Sequence, residues 1–341
     1  MRKTTSITLA VVGVVAFTAL FAVSGFNGND SQLNQVFSPE DQEFLKFITL
    51  HGKSYATKEE FQFRQNLFKS NLLKIRMHNA QNGVSYRLGV NKFSDMTPEE
   101  YKKRLGYLPH NVDQSKVKYL APSNGDNTID WRTKGAVTQV KDQGQCGSCW
   151  SFSATGSIEG HNFLTNKQLV SLSEQQLVDC SQAQGNEGCN GGWMDSAFQY
   201  AEQTPLETEA DYPYEGVDDT CRVDASKETV QVKSYVDVTP NDADQLIAAL
   251  QLGPVSVAIE ADQNIFQSYQ GGVINDSSCG TELDHGVLAV GYGTDGGVPY
   301  FIVKNSWGPD WGDQGYVKIA ATNDNICGIL SQPSYPEIVQ K

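Results

Sequence analysis

Apolar positions recur along this chain with two different periods, and the change of period divides it. From Pro39 to about Asn82 the spacing is helical. Phe44, Phe47 and Ile48 lie on one face of DQEFLKFITLHGKSY, and Phe61, Phe68, Leu72 and Ile75 form a stripe along EEFQFRQNLFKSNLLKIRMHNAQ. Gly83 stands where a helix C-cap would. SYRLGVNKFSDMT reads as strand and turn, and Thr97-Pro98-Glu99-Glu100 opens a short helix with proline at its first position. The stretch PHNVDQSKVKYLAPSNGDN is polar and aperiodic, which predicts an exposed linker open to proteolysis.

A second unit begins near Ile129. Ser148 to about Leu164 is expected to be a helix with Cys149 in its first turn; SEQQLVDC, with Ser173 as cap, and WMDSAFQYAEQ continue in helical style. After about Asp244 the grammar changes. GPVSVAIEA, HGVLAVGYG, PYFIVKNSWG and GYVKIA are rich in Val, Ile and Tyr and bounded by Gly and Pro, as strands are. A helix-rich half (about 125–243) followed by a sheet-rich half (about 244–341) predicts an α+β body with a site in the cleft between them.

Composition sharpens this division. Arg2 and Lys3 precede an uncharged run from Thr4 to Asn29, with Ala22-Val23-Ser24 as small residues suited to cleavage. We read residues 1–24 as a secretory signal peptide, leaving no membrane span once it is removed. That route permits disulfides, and all seven cysteines (146, 149, 180, 189, 221, 279 and 327) fall after residue 145. Seven is odd, so one sulfur is left over. Charge divides the chain similarly: residues 25–124 carry 14 Lys and Arg against 10 Asp and Glu, whereas residues 125–341 carry 10 against 30. A basic segment on an acidic body suggests that the two bind each other. So acidic a body argues against nucleic acid as a partner.

The candidate chemistry begins at Cys146–Cys149 in QGQCGSCWSFSA. A C-x-x-C pair serves as a redox dithiol, as half a zinc site, or as a structural cysteine beside a nucleophile. No second closely spaced pair completes a zinc site. A nucleophilic thiol needs an imidazole partner. His51, His78 and His110 belong to the first segment. His161 lies twelve positions after Cys149, ~18 Å away along a helix at 1.5 Å per residue. His285, in LDHGVLAVGYG, remains. Between dithiol and nucleophile the spacing alone leaves the choice open.

Several motifs together resemble the papain-like cysteine peptidases, in particular their cathepsin L branch. They are CGSCW at 146–150, CNGG at 189–192, DHGV at 284–287 and KNSWG at 304–308. In the first segment Glu60, Arg64, Phe68, Asn71, Ile75 and Asn79, and then Gly89, Asn91, Phe93 and Asp95, match that branch's propeptide motifs.

The resemblance implies an α+β, papain-like two-lobed fold, with a helical left lobe, an antiparallel β-barrel-like right lobe and an α-helical N-terminal prodomain. It implies Cys149 as nucleophile, His285 as acid and base, Asn305 orienting the ring, Trp307 shielding that bond, and Gln143 with the Cys149 amide as oxyanion donors. It implies the disulfides Cys146–Cys189, Cys180–Cys221 and Cys279–Cys327. Gly192 would pair through its backbone with an extended substrate, and Gly191, Asp284 and Trp307 would also belong to the substrate-binding site. Trp193, Met194, Ala258, Leu283 and Gly286 would line the pocket for the second residue before the cut (P2), with Gln332 at its floor. That pocket favours apolar side chains, while Gln332 could admit a polar tip. Residues 25–124 would be an inhibitory propeptide, removed at acidic pH by a cut near Pro122 to Asn127. Asn275-Asp276-Ser277 is a glycosylation sequon. No inserted loop and no C-terminal extension of the exopeptidase kind is visible, so the expectation is a monomeric endopeptidase needing no cofactor or metal, acting on proteins and peptides in a lysosome, a digestive vacuole or outside the cell.

Overall fold

The computed structural model describes residues 38–121 and 128–341. The expected signal peptide and maturation cut lie outside the described residues. The chain separates into two compact units, Met1–Glu43 and Phe44–Lys341. Of the first, residues 38–43 are described, and they begin a helix.

In chain order the elements are α1 (Pro39–Leu50), α2 (Lys58–Asn79), β1 (Tyr86–Leu88), α3 (Pro98–Lys102), β2 (Val117–Lys118), β3 (Ile129–Asp130), α4 (Cys149–Asn166), α5 (Glu174–Cys180), α6 (Met194–Gln203), β4 (Val232–Val238), α7 (Ala243–Leu250), β5 (Val255–Ile259), β6 (Tyr269–Ile274), β7 (His285–Asp295), β8 (Val298–Lys304), β9 (Tyr316–Ala320) and β10 (Ser334–Ile338). None of the described helices is long and apolar enough to cross a membrane.

The larger unit has two main cores. One gathers α4, α5 and α6 around Trp150, Ile158, Leu177 and Phe198. The other lies on the sheet, around Val257, Val287, Phe301, Val317 and Trp311. Helix α4 runs between them, and its sequence explains how. Ser153, Gly156, Ser157 and Gly160 give it a face of small residues. The Ser153 hydroxyl donates to Val287 O (2.6 Å) and that of Ser157 to Pro254 O (2.8 Å). A methyl group on Gly156 would come within 2.7 Å of Leu288 Cδ2, so the helix approaches β7 as closely as glycine allows.

The sheet runs in the order β1-β6-β9-β8-β7-β5-β10-β4-β2 and does not close. It is chiefly antiparallel, but β6–β9 and β2–β4 are parallel. The barrel-like expectation is therefore corrected to an open sheet. The division near residue 244 also blurs, because β4 precedes it, α7 follows it, and β10 near the C-terminus pairs with β4. Pairing between strands is set by tertiary neighbours, and sequence position does not record it.

The N-terminal helices form a small core of Phe44, Phe47, Phe68 and Leu72. Two caps fix their ends. Thr57 accepts from the Glu60 amide (3.1 Å), and Thr97 forms a reciprocal capping box with Glu100. Helix α2 ends at Asn79 with Ala80 as its cap, so Gly83, at φ 79°, lies in the turn beyond it. Tyr86, Leu88, Phe93 and Tyr101 do not stay with this small core. They join the sheet-side core of the body, where Phe93 and Tyr101 pack edge-on against Trp307 at 5.3 and 5.5 Å. The expected linker is also not wholly irregular, since Val117 and Lys118 add a parallel strand to β4.

Candidate active site

Cys149 is the first residue of α4 and the one free cysteine among the described residues. Cys146 is bonded to Cys189, Cys180 to Cys221 and Cys279 to Cys327. The first of these bridges consumes Cys146, the first thiol of C-x-x-C, which leaves no dithiol at that position.

His285 opens β7 and is fully buried. Its Nε2 lies 2.8 Å from Asn305 Oδ1, and Oδ1 also accepts the Ser306 amide at 2.8 Å. The amide oxygen is thus fixed as the acceptor, so Nε2 carries the proton. Nδ1 is left bare, buried and without a hydrogen-bond partner. The Trp307 ring stacks on the imidazole at 4.7 Å.

Gln143 is fully buried and its amide is satisfied at both ends. Its Oε1 accepts from Ser306 Oγ (2.7 Å) and Trp307 Nε1 (3.1 Å). Its Nε2 donates to Cys146 O and to Arg104 O, both at 2.8 Å. Ser306 was not singled out from sequence, although it sits inside the KNSWG motif.

Residues 104–110 of the N-terminal segment run through the cleft. Gly106 N–H points at Cys149 Sγ (3.3 Å), as does Gly286 N–H (3.3 Å). Gly192 N–H donates to Gly106 O (2.9 Å), Tyr107 N–H to Asp284 O (2.9 Å) and Leu108 N–H to Gly192 O (3.0 Å), and Tyr107 pairs in parallel with Gly192. A glycine is required over the thiol, since a Cβ on Gly106 would sit 1.8 Å from Gly147 O.

The Tyr107 ring packs with Met194, Ala258, Trp193 and Leu283, and its hydroxyl donates to Gln332 Oε1. Gly286 closes the same wall, where a Cβ would meet the Trp150 backbone at 3.0 Å and Met194 Sδ at 3.3 Å. Gly191, at φ 129°, comes so near Gly106 O and Leu108 that a Cβ would lie 2.9 Å from each. The structure therefore gathers the predicted pocket residues around a side chain of the chain itself.

Burial governs the charge state. It pushes the Cys149 thiol up to about 11 despite amide donors that favour the thiolate, and pulls the His285 imidazole down to about 4 against the Asn305 bond. In the covered chain both groups are neutral at physiological pH. A thiol at a helix N-terminus is ordinarily activated; in the covered chain burial opposes that activation.

Comparison with known proteins places the chain among relatives. The profile described as papain family cysteine protease matches residues 126–337, and that of the cathepsin propeptide inhibitor domain matches residues 44–101. Cathepsin L of Sarcophaga peregrina is 45% identical over 326 residues, covering 90% of this chain and 96% of that protein. Digestive cysteine proteinase 3 of Homarus americanus is 47% identical over 301 residues, covering 86% and 93%. Among solved structures, digestive procathepsin L 3 of Tenebrio molitor larval midgut superposes with a TM-score of 0.80 at 43% identity, covering 88% of this chain and 99% of the other.

Proposed function

Because the chain belongs to the papain family of cysteine proteases and carries a cathepsin propeptide inhibitor domain, we propose that it is an endopeptidase zymogen whose uncovered Cys149 attacks peptide carbonyls. The observation that carries this reading is the arrangement around one sulfur. The free thiol at the start of α4 lies against β7, where His285 is held by Asn305, and a peptide segment lies across it.

The thiolate forms a bond to the carbonyl carbon, and the oxyanion takes hydrogen bonds from Gln143 Nε2 and the Cys149 amide. Support for Gln143 in this role comes from the bond its Nε2 already makes to a peptide carbonyl, that of Arg104. Imidazolium at His285 protonates the departing amine as the C–N bond breaks, leaving a thioester. His285 then takes a proton from water, which attacks the thioester and releases the acid. Asn305 orients the ring without adding charge, which suits a histidine that must work as a cation.

In this reading residues 1–24 are a leader, 25–124 the propeptide and 125–341 the mature enzyme. Asn275, exposed at the end of β6, is accessible for glycosylation. The pocket holding Tyr107 takes a bulky apolar or aromatic P2 side chain. Acidification favours release of the propeptide, which fits a lysosomal, digestive or extracellular acidic setting.

The test is alkylation of the acid-matured protein by iodoacetamide near pH 5 without reductant, followed by peptide mapping. An ordinary thiol is protonated there and barely reacts. One adduct, on Cys149 alone, is expected. Adducts on both Cys146 and Cys149, or none after verified removal of residues 25–124, would overturn the mechanism.

A further inference from the structure

Ser148 occupies the N-cap position of α4, yet it does not cap the helix. A serine there ordinarily accepts an amide from the first turn, and Ser148 makes no such bond. Its hydroxyl lies 2.6 Å from the hydroxyl of Tyr214 instead. The Tyr214 hydroxyl in turn donates to the backbone carbonyl of Gln143 at 2.8 Å. With the single phenol proton committed to that carbonyl, Ser148 must be the donor in the first bond. The result is a chain from Ser148 Oγ–H to Tyr214 Oη–H to Gln143 O, and such chains polarise and strengthen one another. Burial holds the phenol far above its ordinary value, so the proton stays in place across the working range.

The two ends of this chain belong to the two residues that frame the oxyanion site. Gln143 carries one donor on its side chain. Ser148 immediately precedes the other donor, the Cys149 amide. Sixty-six residues separate Ser148 from Tyr214 and seventy-one separate Gln143 from it. Between Gln143 and Ser148 the chain runs through Gly144 at φ 66° and the bridged Cys146; the Gln143 backbone amide is held by Ser306 O (2.9 Å) and that of Gly147 by Cys189 O (3.0 Å), and Tyr214 adds the tie that joins the two ends to each other. The Tyr214 ring is positioned by Phe152, edge-on at 4.9 Å, and Phe152 lies on the same helix as Cys149.

We infer that Tyr214 is a positioning residue for the oxyanion site, clamping the Gln143 and Cys149 donors at the separation that the transition state requires. This rests on the catalytic reading above. It goes beyond that reading in naming a residue that touches neither substrate nor the reacting atoms. Errors of under 1 Å in such donors are costly because they act on charge that develops only in the transition state.

The experiment uses the acid-matured enzyme and its Tyr214→Phe and Ser148→Ala variants. Tyr214→Phe keeps the ring and its Phe152 contact and deletes only the hydroxyl. We expect kcat for a peptide amide to fall about tenfold, with KM within about twofold of the parent. Alkylation of Cys149 by iodoacetamide develops no oxyanion, so its rate stays within about twofold. Ser148→Ala keeps the Tyr214–Gln143 bond and gives a smaller loss of the same kind; it also serves if Tyr214→Phe folds poorly. Unchanged kcat in both variants would overturn the inference, as would hydrolysis and alkylation falling together, which would place the effect on the nucleophile. If the parent enzyme itself fails to hydrolyse peptides while Cys149 alkylates normally, the catalytic reading falls first and takes this one with it.

Discussion

Replacing Gly106 by alanine adds a single methyl group, and the structure says where it would go. The new Cβ would lie 1.8 Å from Gly147 O and 2.7 Å from Gly147 Cα, both backbone atoms of the loop that carries the nucleophile. Gly106 does not occupy the left-handed region, so alanine fits its local backbone and the whole effect comes from this contact. Neither partner is a flexible side-chain tip, so the segment has to lift. Lifting weakens the Gly106 N–H contact with Cys149 Sγ and the bonds Gly192–Gly106, Tyr107–Asp284 and Leu108–Gly192. At a net ~1 kcal/mol per bond, with water replacing some of them, covering of the cleft should weaken by about 2–4 kcal/mol, or roughly 30- to 1000-fold.

The assay is the rate at which iodoacetamide labels Cys149 in the full-length zymogen at neutral pH, before any processing. In the parent the thiol is neutral and covered, so labelling requires transient opening of the segment. Gly106→Ala should raise the labelling rate by at least an order of magnitude and hasten self-processing. With Gly106 in the propeptide proposed above, the mature enzyme should have unchanged kcat and KM. A variant that labels no faster than the parent would refute the reasoning, because a contact of 1.8 Å would then have been absorbed without moving the segment off the sulfur.

Other outcomes follow from the same contacts. Gln332→Ala should lower the ratio of kcat/KM for Tyr over Phe at P2 by about 3–10-fold, the worth of one hydrogen bond to the tyrosine hydroxyl; an unchanged ratio removes Gln332 from specificity. Burial holds the His110 imidazole at about 3 in the covered chain, against about 6.5 when free. Its contribution to covering is therefore complete above pH 6.5 and lost as pH falls from 6.5 toward 3. By pH 4.5 that is at most about 100-fold, reduced by its partial exposure and by the neighbouring Asp195 carboxyl. His110→Gln should move the midpoint of self-processing to lower pH, and an unmoved midpoint would remove His110 from activation. Lys92–Asp142, Lys102–Asp262 and Lys118–Glu337 cross from segment to body at its surface. Raising salt to 1 M should speed processing only a few-fold, and a change above 100-fold would mean that charge outweighs the apolar contacts.

How far the sequence reaches depends on how local the physics is. The helix starts at Thr97 and Ser173 were legible because capping involves residues three positions apart, whereas the cap at Thr57 was not singled out although it follows the same spacing. That His285 belongs with Cys149 was suggested by elimination of the other histidines, and the addition of Asn305 came only through motif resemblance, since 136 positions separate thiol and imidazole and no periodicity links them. The threading of residues 104–110 was not legible. Its bonds run from backbone to backbone, and backbone leaves no mark on residue choice except at Gly106, where a glycine among many looks ordinary. Tyr214 was missed for a related reason: its hydroxyl joins a serine hydroxyl and a backbone carbonyl far away in sequence and belongs to no recognisable spacing. Charge suggested how the segment is held, but Tyr86, Leu88, Phe93 and Tyr101 also bury apolar surface in the sheet-side core of the body.

The covered state also explains why one segment can suppress so reactive a site without distorting it. Each group that catalysis would use is occupied or neutralised in place. Gln143 Nε2 holds the Arg104 carbonyl, Cys149 Sγ receives the Gly106 amide, and Tyr107 fills the pocket. The bonds that orient these groups come from the body: Ser306 and Trp307 fix Gln143, and Asn305 fixes His285. Removing the segment therefore leaves the constellation assembled. It readmits water to Cys149 and His285, and lifts the burial that keeps the thiol and the imidazole neutral. On this account activation changes solvation far more than geometry, so the Cys149 labelling rate should rise steeply on maturation while the disulfides and the His285–Asn305 bond stay as they are.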